Sequence, residues 1–341
     1  MLKKLTDAFG PSGCEDEVRD IIINEITPFC DSVKVDRMGN VIAFKKGRDS
    51  SKKFMADAHM DEVGLIIKGI TEEGYLKFVE IGGLDDRILP GKRVICGENR
   101  VPGVIGLKAL HLTTGEERKS VAKQKDMYID IGAVSREEAS FLVQVGDYVC
   151  FDSQYIQFGD GMIKAKALDD RVGVAILIEM LKTAQPAYDF YASFSVQEEV
   201  GLRGAAVTSK EIMPDYALAI EGTICADGDG VPEHLQVTKS GGGVSFSVME
   251  RSSLADSDML SFAKKTALEE NLPFQLKRTG NGGNNAGTIQ LAGCGVKTLA
   301  MAVPCRYLHS PGCVINRKDY LAAEKLAIKI CERIDTLCLK D

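Results

Sequence analysis

The sequence predicts an α/β sandwich with a mixed central sheet, interrupted by a small, barrel-like all-β insertion. Three observations predict it. Apolar residues recur at spacings of three and four over 15–27, 171–183, 256–270 and 318–338, as helices with one buried face require. These stretches alternate with apolar runs of strand length, the pattern of an α/β sheet. Between about 67 and 160 the texture changes to short β-like pieces separated by Gly, Asn and Asp turns. The expected division is therefore 1–66 with 161–341 in the α/β domain, and 67–160 in the insertion.

In chain order, a Pro-Ser-Gly turn leads into EDEVRDIIINEIT. Val18, Ile21, Ile22 and Ile26 share one face of this helix, and acids occupy its first turn, where the helix dipole favours them. VIAFKK and KKFMADAHM read as strands, the second turning polar at His59-Met60-Asp61. The insertion supplies YLKFVEIG, KRVICG, VPGVIGLKAL, MYIDIG and DYVCFDSQYI. Helix 171–183 follows, then strands DFYASFSV and YALAI, helix 256–270, strand VKTLAMAV and the closing helix 318–338. The glycine clusters at 241–243 and 280–287 read as loops. They lack the strand-then-helix context of a dinucleotide fingerprint.

Composition excludes several functions. A net charge of −7 and a pI near 5.4 give no general attraction to nucleic acid or to an anionic membrane. The longest apolar run, 172–181, contains a glutamate and falls far short of the roughly 20 residues of a membrane span. The ten cysteines are scattered, without a CxxC pair and mostly in apolar runs, which is the usage of a reducing compartment. The amino-terminal segment has no apolar core of a signal peptide, so a cytoplasmic location is expected.

Chemistry concentrates where predicted strands end. Of four histidines, His59 and His309 stand at such ends beside other polar residues, whereas His111 and His234 read as surface residues. His59 and Asp61 are two apart, a spacing that lets a carboxylate orient a ligating imidazole. In ALDDRVG, Asp169 is placed to bridge two cations about 3.5–4 Å apart. Glu198 and Glu199 interrupt a core-like strand. Adjacent residues there point apart, so one can ligate while the other serves as a general base. Glu221 closes YALAI, and PCRYLHSPG brings His309 out of the last strand. In open α/β sheets such side chains converge outside the carboxyl ends of the strands. Two histidines with three carboxylates suit two zinc, cobalt or manganese ions better than calcium or magnesium. ADGDGVPE lacks the spacing of a calcium loop and reads as an acidic turn.

AHMDEVG, KALDDRVG, QEEVGLRGA and PCRYLHSPG, in this order and spacing, resemble the tetrahedral aminopeptidases, which include glutamyl and deblocking aminopeptidases. PSGCEDEVR, PGVIG, MYIDIGAVSREEA and the last helix extend the resemblance over nearly the whole chain. It implies removal of amino-terminal residues from short peptides, and a β-domain that pairs subunits into dimers, which join as a tetrahedral dodecamer. It also implies one metal on His59, Asp169 and Glu221, a second on Asp169, Glu199 and His309, Glu198 as base and Asp61 orienting His59. The chain departs from the pattern where Glu221 replaces aspartate, where Asn284-Asn285 replaces Thr-Asp, and where KSGGGVSF lacks Gly-Pro. Those loops motivate a second reading, a non-catalytic metal-binding assembly protein of the same fold, against which Glu198 stands as a base that no structural site needs. A carboxylate-pair glycoside hydrolase using Asp169 and Glu198 is a third, opposed by the absence of tryptophan and by only 6% aromatic residues. A Cys305 nucleophile paired with His309 gives way to packing as the role of Cys305.

Overall fold

The computed structural model describes residues 1–278 and 282–337. Cys338 and the Gly280-Asn281 part of the second glycine cluster lie outside the described residues. Helices α1 (Leu2–Asp7) and α2 (Asp16–Ile26) precede strands β1 (Ser32–Val35), β2 (Val41–Lys45) and β3 (Asp49–His59). The chain then leaves the sheet for β4 (Gly64–Ile70), β5 (Leu76–Ile81), β6 (Arg93–Cys96), β7 (Val101–Gly106), β8 (Tyr128–Asp130), α3 (Arg136–Leu142) and β9 (Tyr148–Phe151). It returns through β10 (Ile156–Phe158), β11 (Met162–Ala165), α4 (Leu168–Thr183), β12 (Tyr188–Ser195), α5 (Arg203–Ile212), β13 (Tyr216–Ile224) and β14 (Val244–Ser247). Helix α6 (Ser257–Glu269), β15 (Phe274–Leu276), α7 (Ala286–Ile289), β16 (Lys297–Arg306), β17 (Cys313–Asn316) and α8 (Arg317–Arg333) complete it.

The large sheet has eleven strands, ordered β1-β2-β12-β3-β13-β16-β17-β11-β10, with β14 and β15 branching from β16. Its centre, β12-β3-β13-β16, is parallel and its margins are antiparallel, so the sheet is mixed. Alternation along each strand sends side chains to opposite faces. Leu218 and Ile220 of β13 enter a large core with Leu177, Met301 and Leu326, while Ala217 joins Met55, Ala205 and Ile289 on the other face. Both faces are covered, hence the near-continuous apolar strands.

Strands β4-β5-β8-β7-β6-β9 close into a barrel around Leu65, Phe78, Val94, Ile105, Ile129 and Val149. Closure removes the free edges that short strands otherwise expose. Three details differ from the sequence reading. VPGVIGLKAL remains a strand only to Gly106, and Leu110–Leu112 is a 3-10 turn. The last α-helix stops at Arg333 and continues as a 3-10 turn at Ile334–Thr336. Strand β13 runs past Glu221 to Ile224, because β16 alongside continues the pairing to Cys305.

Candidate metal centre

Register places the site. Ser195 of β12 pairs with His59, and Ala219 of β13 pairs with Asp57, so β12, β3 and β13 finish at one edge. Strand β11 runs parallel to β16, because each pairs antiparallel with β17, and α4 therefore starts at that same edge. Asp169 and Asp170 have non-helical backbone angles there, and the peptide bond between them is cis. Past the carboxyl ends of these strands, backbone that has left the ladder is free to present side chains.

His59 Nε2 lies 3.5 Å from Asp169 Oδ1, 3.7 Å from Glu221 Oε2 and 4.0 Å from Glu198 Oε2. His309 Nε2 lies 3.5 Å from Asp169 Oδ2 and 3.2 Å from Glu199 Oε1. The two oxygens of Asp169 thus face different imidazoles. Two trios result, His59–Asp169–Glu221 and Asp169–Glu199–His309, each with its ligand-type atoms within 4.8 Å of one another; His59, Glu198 and Glu199 form a third. Donors around a tetrahedral zinc at about 2.0–2.1 Å stand roughly 3.3–3.4 Å apart, so these separations fit a cation better than they fit direct hydrogen bonds. Glu199 Oε1 supports the fit: it is buried, and His309 Nε2 at 3.2 Å does not meet it with the geometry of a hydrogen bond, nor does any other group among the described residues.

The supporting shell explains why these side chains stay in place. His59 Nδ1 is 3.1 Å from the Asp61 carbonyl oxygen and 3.4 Å from its Oδ1. Asp61 lies just past the end of β3 rather than within it. Its buried carboxylate accepts from Ser12 Oγ at 2.6 Å, Glu198 N at 2.9 Å and Glu199 N at 3.1 Å, which pins the turn carrying both glutamates. Asp170 accepts from His59 N and Gly173 N. Glu221 Oε1 accepts from Asn285 N, and Asn285 Nδ2 donates to Asp57 and Ser195. His309 Nδ1 contacts the Gly83 carbonyl oxygen at 2.9 Å. Asn284 donates to Glu250, which also pairs with Lys277, and all three line the cavity of about 380 Å³ that holds the centre.

The electrostatics of this crowd are those of an incomplete charge balance. Burial, then neighbouring carboxylates, raise Glu198 to about 8 and push Glu221 well above the usual range. Burial also raises Glu199. Burial works against protonation of His309, yet Asp169 and Glu199 outweigh it and lift the imidazole to about 11. His59 is raised the same way by Asp169 and Asp61, against its own burial. Burial opposes ionisation of Asp169, but both histidines hold it low. Protons here do what divalent cations can do better, because ligation requires neutral imidazoles and ionised carboxylates.

Sequence reasoning missed the buried network behind the centre. Arg171 donates to the carbonyl oxygens of Met60, Leu5 and Gly10, and to Glu62, which also pairs with Lys166 at 2.6 Å. The available signal was a basic residue directly after ALDD and an acid directly after HMD. Other candidates fall away. His111 and His234 are exposed and belong to none of the trios. Asp227 of the acidic turn is engaged by Arg306 at 2.6 and 2.7 Å. Cys305 is buried with its thiol raised well above the ordinary range by Cys313 and by burial, so it packs.

Fold and centre together fit a metal-dependent hydrolase of the α/β sandwich type. Residues 39–326 match the family described as M42 glutamyl aminopeptidase, and the chain belongs to that family. Residues 1–22 match a second description, AMPT. A putative aminopeptidase of Acetivibrio thermocellus is 39% identical over 333 residues, covering 97% of this chain and 98% of the relative. The crystal structure of a TET aminopeptidase from a marine sediment archaeon, Thaumarchaeota archaeon, superposes with a TM-score of 0.94 at 35% identity, covering 98% of this chain and 95% of that one. The TET1 peptidase of Pyrococcus horikoshii, described as able to assemble into a tetrahedron or a large octahedral shell, is similar with a TM-score of 0.86 and 36% identity over 97% of this chain and 98% of its own.

Proposed function

We propose that the chain removes amino-terminal residues from short peptides using two divalent ions, one on His59, Asp169 and Glu221 and the other on Asp169, Glu199 and His309. The observation that carries this reading is Asp169, whose two oxygens face the two imidazoles separately. The mixed nitrogen and oxygen donors favour zinc or cobalt, with manganese also suited. Bound ions would supply Lewis acidity toward the scissile carbonyl and lower the pKa of water at the centre.

The remaining work falls to the chain's own groups. Glu198 Oε2 stands beside the centre without belonging to either of these two trios; cations at the centre would favour its ionised form over the protonated form that burial favours without them, leaving a carboxylate placed to accept a proton from water and return it to the leaving amine. Asp61 is a positioning residue, holding both the His59 ring and the Glu198–Glu199 amides. The acidic cavity attracts the substrate's free amino terminus, which favours cleavage from that end. For the insertion, expected over 67–160, the role that this reading gives is the pairing of subunits. The resemblance to TET peptidases supports dimers that build a tetrahedral dodecamer. The described cysteines are all free thiols, in keeping with a cytoplasmic setting.

The test is hydrolysis of a panel of aminoacyl-chromophore substrates by metal-depleted protein, with zinc, cobalt or manganese restored, beside Glu198→Gln. Activity should return with the ion and vanish in the variant. Stoichiometric ion binding without hydrolysis of any amino-terminal residue would refute the reading.

A further inference from the structure

The two halves of the centre are supported differently. His59 ends a central strand, its side chain is 1% exposed, and its second nitrogen contacts the carbonyl oxygen of its near neighbour Asp61. That half is anchored within the α/β sandwich. His309 lies on the loop between β16 and β17, its side chain is 32% exposed, and its second nitrogen reaches Gly83, just beyond barrel strand β5. The same loop is tied again on the barrel side, where Ser153 Oγ, just past β9, donates to the Pro311 carbonyl oxygen. Gly82 touches the other ligand of this half. A Cβ added there would fall 2.8 Å from Val63 Cγ1 and 3.2 Å from Glu199 Cβ. A Cβ on Gly83 would come within 3.6 Å of His309 Nδ1. The connection leaving β5 therefore abuts Glu199 on one side and His309 on the other.

We propose that Gly82-Gly83 is a positioning element for the Asp169–Glu199–His309 site, coupling the affinity of that site for a divalent cation to the seating of the inserted barrel and leaving the His59–Asp169–Glu221 site independent of it. The inference rests on the two-ion reading above. Its physical basis is that a carbonyl accepting from the non-ligating nitrogen fixes the tautomer and orientation of an imidazole, and loss of such a partner costs about 10–100-fold in affinity. By linkage, an ion in this site must in turn stabilise the barrel junction.

The discriminating experiment compares Gly82→Ala with Gly91→Ala. Both glycines have φ of +76°, so both substitutions impose similar backbone strain, but a Cβ at Gly91 meets nothing within 4 Å. Metal-depleted protein is titrated with cobalt or zinc against a chromophoric chelator. Wild type and Gly91→Ala should take up two ions with matching affinities. Gly82→Ala should retain one site within about twofold and weaken the other about 10–100-fold. Ser153→Ala, which removes the hydrogen bond to the Pro311 carbonyl together with the one Ser153 Oγ accepts from Lys164 and leaves the backbone unstrained, should weaken the same site by a smaller factor and keeps the idea testable if Gly82→Ala does not fold. In wild type, filling the second site should slow hydrogen exchange at the amides of 82–84. Equal weakening of both sites in Gly82→Ala, or affinities matching Gly91→Ala together with an unaffected Ser153→Ala, overturns the coupling. Fewer than two ions in wild type overturns the two-ion reading itself, and the coupling with it.

Discussion

Replacing Glu62 by Gln removes one charge from a buried cluster while keeping its shape. Glu62 Oε1 accepts from Lys166 at 2.6 Å, from Arg171 at 3.2 Å and from the Cys150 thiol at 3.5 Å. The side chains of Glu62, Lys166 and Arg171 are 2%, 6% and 0% exposed, so water cannot compensate the two cations left behind. Breaking a buried pair by neutralising one member costs about 3–5 kcal/mol, and the low end applies here because Arg171 keeps three carbonyl acceptors and Lys166 keeps Ala8. The cost is read by urea unfolding of metal-depleted protein at one fixed concentration, which removes ion binding and assembly from the comparison. Adding Lys166→Met should recover at least about 1 kcal/mol, since it removes one uncompensated cation. A loss below about 1 kcal/mol in the single variant would refute the view that this cluster ties the amino-terminal segment, the end of β3 and the start of α4 into one unit.

Glu198→Gln should lower kcat by about 10²–10⁴-fold with ion stoichiometry unchanged, measured by turnover and by metal analysis on one preparation. Ion uptake at pH 7 should release protons, because His309 at about 11 is protonated before ligation; calorimetry in buffers of different ionisation enthalpy reads the number, and zero release would contradict the assigned ligands. Burial raises Asp57 from 3.8 to about 6, against hydrogen bonds from Ser193, Asn285 and Ser195. Since the folded state holds this proton more tightly, stability from the group is present below pH 3.8 and is lost as pH rises to 6, by about 3 kcal/mol. The difference in unfolding free energy between wild type and Asp57→Asn, followed from pH 4 to 7, should trace that slope. Asn285→Ala removes donors to Asp57 and Ser195 and should cost about 1–3 kcal/mol in the same assay.

Much of the centre was legible because metal ligation needs rare residue types in costly places. Imidazoles and paired acids at the ends of apolar runs, as at His59, Glu198-Glu199 and His309, have few other reasons to be there. The shell around them was less legible, because most of it is backbone. The Gly83 carbonyl, the Asn285 amide and the Met60 carbonyl carry no side-chain signature, and their partners lie up to 226 positions away. Asn284-Asn285, standing where the resemblance leads one to expect Thr-Asp and hence one more carboxylate near the site, prove to be donors to Glu250 and Asp57, two acids already present.

By itself the sequence determined the α/β class, the presence of a β-rich insertion and the identity of the ligand-type residues, since periodicity and residue chemistry are local properties. Tertiary structure alone decided that β13 carries Glu221 inside its span, that Asp61 locks the Glu198–Glu199 turn, and that one half of the centre is completed across the junction with the barrel. Those depend on strand register and on carbonyl groups that every residue possesses, and register is a property of pairs of strands rather than of any one segment.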